Sequence, residues 1–220
     1  MKINIFLQVG IIIMNKPIIH SIFPTPIYTT KIDRGFTKQE LQFVKEQKKH
    51  CSNNEGNINT KDNYVLNRKE FKNIKKFLDK HCKDYLEKII CPKNNIDLYI
   101  TQSWLNYTEA NQYHHKHAHP NSVISGVFYF DSDKENDKIL FSSSKSYEQI
   151  KPVIDKTKYN IWNSETWFFP VETGDLFMFP SSTTHQVETK QGSNTRISLA
   201  FNTFYKGTIG SNIDLFELIL

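Results

Sequence analysis

The sequence predicts a mainly β fold, an antiparallel sandwich or barrel with two helices packed against its outside. Three observations carry this reading. From Asp97 onward apolar residues recur with period 2 in short runs, LYITQSWLNYTE, SVISGVFYFD, KILFS, ETWFFPV, DLFMFP and RISLAFNTFYK, the spacing that sends alternate side chains to opposite faces of a strand. No long helical pattern separates these runs, which argues against the strand-helix alternation of a parallel sheet. The chain is also rich in large aromatics, 16 Phe and 10 Tyr against 8 Gly, as suits a β-rich core.

Taken in order, the elements begin with the apolar run of MKINIFLQVGIIIM, too short to span a bilayer, where about 20 residues are needed. No small-residue cleavage site follows it, so it reads as a spurious extension, with Met14 the alternative start to Met1. A strand is expected within IIHSIFPTPIYTTKI. Thr37, followed by Glu40 three residues on, forms a capping box that opens an amphipathic helix to about His50. Residues 51–66 are polar and turn-rich and read as a loop. From Arg68 to about Ile90, apolar groups at Phe71, Ile74, Leu78, Cys82, Tyr85 and Ile89 keep the three-and-four spacing of a second helix with one buried face, ended by Pro92. The polar stretch from Ser142 to Ser164 is a long excursion between strands, of the kind that becomes a lid.

The chain's 220 residues suffice for one sizeable core and are few for two. They are read as a single domain, with residues 1–14 the extension, 15–94 the N-terminal strand and helices, and 95–206 the β core. A composition of 38% hydrophobic and 23% charged residues excludes wholesale disorder, collagen-like repeats and a disulfide scaffold. Cys51, Cys82 and Cys91 are an odd, sparse set without CxxC spacing, as expected of reduced thiols in a cytoplasmic protein, and Cys82, on the apolar helix face, has no partner that would make it a nucleophile. The net charge of +5 is unevenly spread: residues 1–94 carry 18 Lys or Arg against 9 acids, residues 95–220 carry 10 against 14. The lysines are scattered along helices without interleaved arginines or a stacking platform, the pattern of a solvated face more than of a nucleic-acid footprint.

Chemistry concentrates in the β region. Five of the eight histidines are His114, His115, His117, His119 and His185. In an extended segment His115, His117 and His119 share a face and His114 points away, and two imidazoles at i, i+2 can hold one metal ion. A distal histidine, His185, follows GDLFMFPSST, and Arg196 opens the strand RISLAFN as the one arginine after Arg68. Trp104, Asn106 and Tyr113 are candidates to line a pocket, Ser125 and Gly126 to allow close packing behind the metal, and Phe179 and Pro180 to shape the turn before His185.

In order, QSWLNY at 102–107, HKHAHPNSVISGVFYF at 115–130, GDLFMFPSSTTH at 174–185 and RISLAFN at 196–202, with IFPTPIY upstream, resemble the 2-oxoglutarate/Fe(II)-dependent oxygenases, and most closely the small members found in phages and marine bacteria. The resemblance implies a double-stranded β-helix (jelly-roll, cupin-like) core for residues 95–206. It also implies a hydroxylating dioxygenase that uses Fe(II), 2-oxoglutarate and O2 on an unknown substrate. The superfamily's metal motif, HxD or HxE with a distal His, falls on His117, His119 and His185, with His119 where a carboxylate is expected and His115/His117 as the shifted register. Asp131 or Glu109 is the candidate replacement carboxylate. Arg196 matches the anchor for the distal carboxylate of 2-oxoglutarate, a planar bidentate donor. Ser198, two residues on and on the same strand face, adds a hydroxyl, and Asn106 a further hydrogen bond.

Three histidines plus water is also the catalytic zinc pattern. The alternatives are therefore a cupin-like zinc or three-histidine metal enzyme, a non-enzymatic β-sandwich binding or phage structural protein, and an oxygenase acting on nucleic acid, which would bind DNA or RNA with steep salt dependence.

Overall fold

A computed structural model describes residues 17–143 and 152–220. The alternative start sites and the middle of the Ser142–Ser164 excursion lie outside the described residues. The elements are β1 (Tyr28–Lys31), α1 (Lys38–Gln47), β2 (Cys51–Asn53), β3 (Ile58–Thr60), α2 (Lys72–Tyr85), β4 (Ile96–Thr108), β5 (His114–His117), β6 (Ile124–Asp131), β7 (Lys138–Ser142), β8 (Thr166–Pro170), β9 (Asp175–Pro180), β10 (His185–Val187), β11 (Arg196–Ile209) and β12 (Leu218–Ile219). Among the described residues no helix is long and apolar enough to cross a membrane.

The strands form two antiparallel sheets. The larger runs β1-β9-β6-β11-β4-β3-β2, with β12 paired to β11, and the smaller runs β5-β10-β7-β8. Strands β4 to β11 thus alternate between the two sheets, save for the adjacent β7 and β8 that pair within the smaller one, as a double-stranded β-helix extended at one edge by β1 and at the other by the β2-β3 hairpin. That hairpin corrects the loop expected over residues 51–66: Ile58 pairs with Tyr107 and Asn59 with Asn106, so the polar segment is held by backbone bonds to β4 rather than by a buried apolar face. The expected N-terminal strand shrinks to its last residues, Tyr28–Lys31, paired to β9.

Period 2 divides two cores. On β11, Ile197, Leu199 and Phe201 face the helices, where Leu199 and Phe201 pack with Leu105, Tyr107 and Phe128 of the sheet and Phe71, Ile74, Leu78, Cys82 and Tyr85 of the helical region. A smaller core of Tyr129, Ile139, Phe141, Val171, Phe177 and Phe179 fills the space between the sheets. Gly126 is required on β6 because an added Cβ would overlap the Phe201 ring. Residues Leu86–Ile90 form a π-helical turn, so Leu86 takes the buried place expected of Ile89, which is 39% exposed. Cys91 in the left-handed region then ends the helix before Pro92. The Cys82 thiol, buried on α2, is pushed up to about 12 by desolvation, consistent with an inert packing group.

The helix start legible in the sequence is present in full. Glu40 N–H donates to Thr37 Oγ1 at 3.1 Å and Thr37 N–H to Glu40 Oε2 at 2.7 Å, while Arg34 grips the same buried carboxylate at 2.9 and 2.6 Å. Burial alone would raise the pKa of Glu40, but the Arg34 and Thr37 hydrogen bonds overcome it and hold the group below its ordinary value. Its ionised form is therefore favoured by folding. The stability it contributes is present at neutral pH and is lost as pH falls below the usual carboxylate range, about 4.3, toward the lower folded value. Glu40→Gln is expected to cost about 2 kcal/mol, or about 4–8 °C in Tm, and to remove that part of the acid dependence in thermal melts at graded pH.

Candidate active site

The inner face of the large sheet and the small sheet enclose a narrow cavity lined by Trp104, Asn106 and Thr108 from β4, Val127 and Tyr129 from β6, Arg196, Ser198 and Ala200 from β11, and His114, His117, His119 and His185. The lining follows from strand register. Ser198 pairs with Asn106 on one side and Tyr129 on the other, so the three side chains stand in one row across β4, β11 and β6. Ala200, Trp104 and Val127 form the next row in the same way.

His117 and His185 face each other as a β5-β10 pair, and His119 follows β5. One ring nitrogen from each of His117, His119 and His185 falls within a mutual 4.8 Å. The turn after β9 orients two of them: Ser181 O accepts from His119 N–H at 2.9 Å, and Thr183 O accepts from His185 Nδ1–H at 3.1 Å. His117 Nδ1–H donates to His115 O at 2.8 Å. Because a carbonyl can only accept, these bonds fix Nδ1 as the protonated nitrogen and leave Nε2 of His117 and His185 with a free lone pair, the tautomer a metal needs. Desolvation keeps the imidazoles neutral: it lowers the pKa of His117, brings that of His119 down to about 4 and brings that of His185 down to about 3. Phe179 packs at a tilt against His185 with ring centroids 4.7 Å apart, and the Trp104 and His119 ring centroids lie 5.9 Å apart.

Several expectations are corrected. His114 does not point away. Between the pairs His117–His185 and His114–Val187, two residues of β5, His115 and Lys116, stand opposite one of β10, Gln186, and this bulge turns His114 inward, its ring stacked on His117 at 4.7 Å. His115 lies with His114 and His117 and outside the group that contains His185, which separates the two possible registers geometrically. Neither Glu109 nor Asp131 enters a histidine group: Glu109 pairs with Lys48 and accepts from Thr195, and Asp131 accepts from Asn194. Tyr113 is exposed and lines an outer depression of about 810 Å³ that meets the inner cavity at His114, Val187 and Arg196.

Arg196 is buried in a central strand between β6 and β4. Its one side-chain partner among the described residues is Asp137, with Nη1 3.4 Å from Oδ1. Burial lowers its pKa, opposed by Tyr129 and Asp137, and a guanidinium stays charged under that shift. Tyr129 was not singled out from the sequence: it sits in an aromatic run, SVISGVFYFD, and only the pairing with Ser198 distinguishes it. Asn106 Oδ1 is buried without a partner, an acceptor aimed into the cavity. Three neutral imidazoles beside a buried guanidinium, a hydroxyl row and an unsatisfied amide suit a divalent cation chelated by a dicarboxylate.

Residues 102–202 match the sequence model of a family described as "Putative 2OG-Fe(II) oxygenase". No curated protein matches the sequence. Among solved structures, the chain is similar to a 2OG-Fe(II) oxygenase family oxidoreductase from Burkholderia pseudomallei (TM-score 0.51, 14% identity, covering 80% of this chain and 83% of that one). It is also similar to HygX from Streptomyces hygroscopicus with nickel, 2-oxoglutarate and hygromycin B bound (0.55, 10%, 81% and 82%). A third is the non-heme alpha ketoglutarate dependent epimerase SnoN from nogalamycin biosynthesis (0.57, 13%, 82% and 76%). At these identities the structures establish the fold, and the sequence match covers the strands that build the cavity. Residues 102–202, most of the β core, are thus similar in sequence to the 2OG-Fe(II) oxygenases, and the fold around them is that of solved proteins crystallised with 2-oxoglutarate and nickel or with iron.

Proposed function

We propose that this chain is a 2-oxoglutarate-dependent dioxygenase in which His117, His119 and His185 hold Fe(II), Arg196 and Ser198 anchor the distal carboxylate of 2-oxoglutarate, and Asn106 donates or accepts a further hydrogen bond. The observation that carries the reading is the convergence of three imidazole nitrogens within 4.8 Å in the same cavity as Arg196, Ser198 and Asn106. When bound, the metal and cosubstrate supply the oxidising power for hydroxylation of a C–H bond with O2.

The protein's own residues position and exclude. His115 O and Thr183 O hold two imidazoles by their Nδ1–H, so Nε2 of each is aimed and neutral. Three protein ligands leave three of six coordination positions for the cosubstrate and oxygen. Phe179, Trp104 and Val127 supply apolar wall, while Arg196, Ser198, Asn106 and Tyr129 supply polar groups besides the histidines. The three cysteines are free, which fits a reducing cytoplasm. Lysines of α2 and the turn after it pair with acids along the same segment, Lys75 with Asp79, Lys83 with Glu87 and Lys88 with Asp84, which supports reading this basic part as a solvated face more than as a nucleic-acid footprint.

The test is an anaerobic titration of tag-free protein with Fe(II), followed by 2-oxoglutarate. One equivalent of metal and then one of cosubstrate are expected. A protein that binds no metal would be a binding module. Tight zinc with no metal-dependent uptake of 2-oxoglutarate would make it the zinc enzyme.

A further inference from the structure

Lys190, in the loop between β10 and β11, has a side chain with no solvent exposure. A lysine is almost never fully buried without a purpose that holds it there, because desolvating an ammonium is costly. Its Nζ donates to Asn194 Oδ1 at 2.7 Å and lies 3.5 Å from Asp137 Oδ1, the same oxygen that Arg196 Nη1 approaches at 3.4 Å. Asp137 is itself fully buried and fixed from behind, its Oδ2 accepting from Asp133 N–H at 2.9 Å. Two buried cations therefore share one buried anion. Of the other carboxylates whose charge acts on Lys190, Asp133 accepts from Asn136 and Glu109 is held by Lys48 and Thr195, and neither shares the oxygen between Lys190 and Arg196.

The charge count has a consequence for the cavity. With Asp137 alone, Arg196 would form a neutral pair and offer little to a second carboxylate. With Lys190 drawing on the same oxygen, less of the Asp137 charge falls on Arg196, the member of the cluster that reaches the cavity. We propose that Lys190 is a positioning and specificity-determining residue, which acts through Asp137 to make the site take 2-oxo acids with a distal carboxylate in preference to monocarboxylic ones. This rests on the cosubstrate reading above and extends it to a residue outside the cavity wall.

The experiment compares binding of 2-oxoglutarate and 2-oxovalerate, equal in chain length and lacking the distal carboxylate, to the metal-loaded protein without oxygen, by calorimetry. Wild type is expected to prefer the dicarboxylate strongly. Lys190→Gln is expected to cut that preference at least tenfold by weakening 2-oxoglutarate while leaving 2-oxovalerate unchanged, and Lys190→Arg to restore most of it. If Lys190→Gln does not fold, Asp137→Asn serves instead and is expected to raise the preference, since it removes the carboxylate that offsets Arg196. An unchanged ratio in a folded variant that still binds 2-oxoglutarate overturns this inference alone. Failure of the wild type to bind either acid overturns the cosubstrate reading with it.

Discussion

Arg196→Ala is expected to weaken 2-oxoglutarate binding between about 30-fold and a few thousand-fold without unfolding the protein. The lower figure follows from losing a charge-assisted hydrogen bond in a water-poor site, about 2–5 kcal/mol, at tenfold for each 1.4 kcal/mol. Survival of the fold follows from the neighbours. Removing one partner of a buried ion pair ordinarily strands the other charge, but Asp137 keeps Lys190 at 3.5 Å and the Asp133 amide at 2.9 Å. The loss should appear in KM for 2-oxoglutarate, with metal affinity unchanged, because Arg196 belongs to neither histidine group. Equal loss of metal and cosubstrate binding would mean that the cavity had collapsed.

His185→Ala is the second large effect. Mutation of groups that merely orient a metal ligand costs about 10–100-fold in affinity, so removal of a ligand itself should exceed 100-fold. The variant should lose Fe(II) and retain its fold, since His185 begins a short strand whose backbone pairing to Phe141 and His117 survives truncation. His119→Asp should behave in the opposite sense. A carboxylate there removes one unit of positive charge from the bound ion and favours iron over zinc, so the zinc-to-iron affinity ratio should fall at least tenfold in competition titrations.

These expectations show which parts of the molecule are local in sequence. Strands β4, β6, β9 and β11 were legible because one face is buried against helices and the other lines the cavity, so period 2 is enforced along their length. The α1 start was legible because its cap is a contact between neighbours, Thr37 and Glu40. The β2-β3 hairpin was not, because Cys51–Asn53 and Ile58–Thr60 carry no apolar alternation and owe their pairing to the edge of β4. His117, His119, His185, Arg196, Ser198 and Asn106 could be singled out once the histidine spacing was joined to the resemblance, and the structure gathers them in one cavity. His114, Tyr129, Asp137 and Lys190 could not. The first is turned inward by a bulge, the second acquires meaning only through register, and Asp137 lies far in the chain from Lys190 and Arg196 and meets them only in the fold.

The central claim, that this cavity holds Fe(II) chelated by 2-oxoglutarate against Arg196, is tested most directly by absorption spectroscopy of the anaerobic protein. Fe(II) with 2-oxoglutarate is expected to give the visible charge-transfer band of a metal-chelated 2-oxo acid in wild type, at one equivalent of each. His185→Ala should show no band, and Arg196→Ala should show it only at much higher 2-oxoglutarate. A folded wild-type protein that gives no band, or a band indifferent to Arg196, would contradict the account.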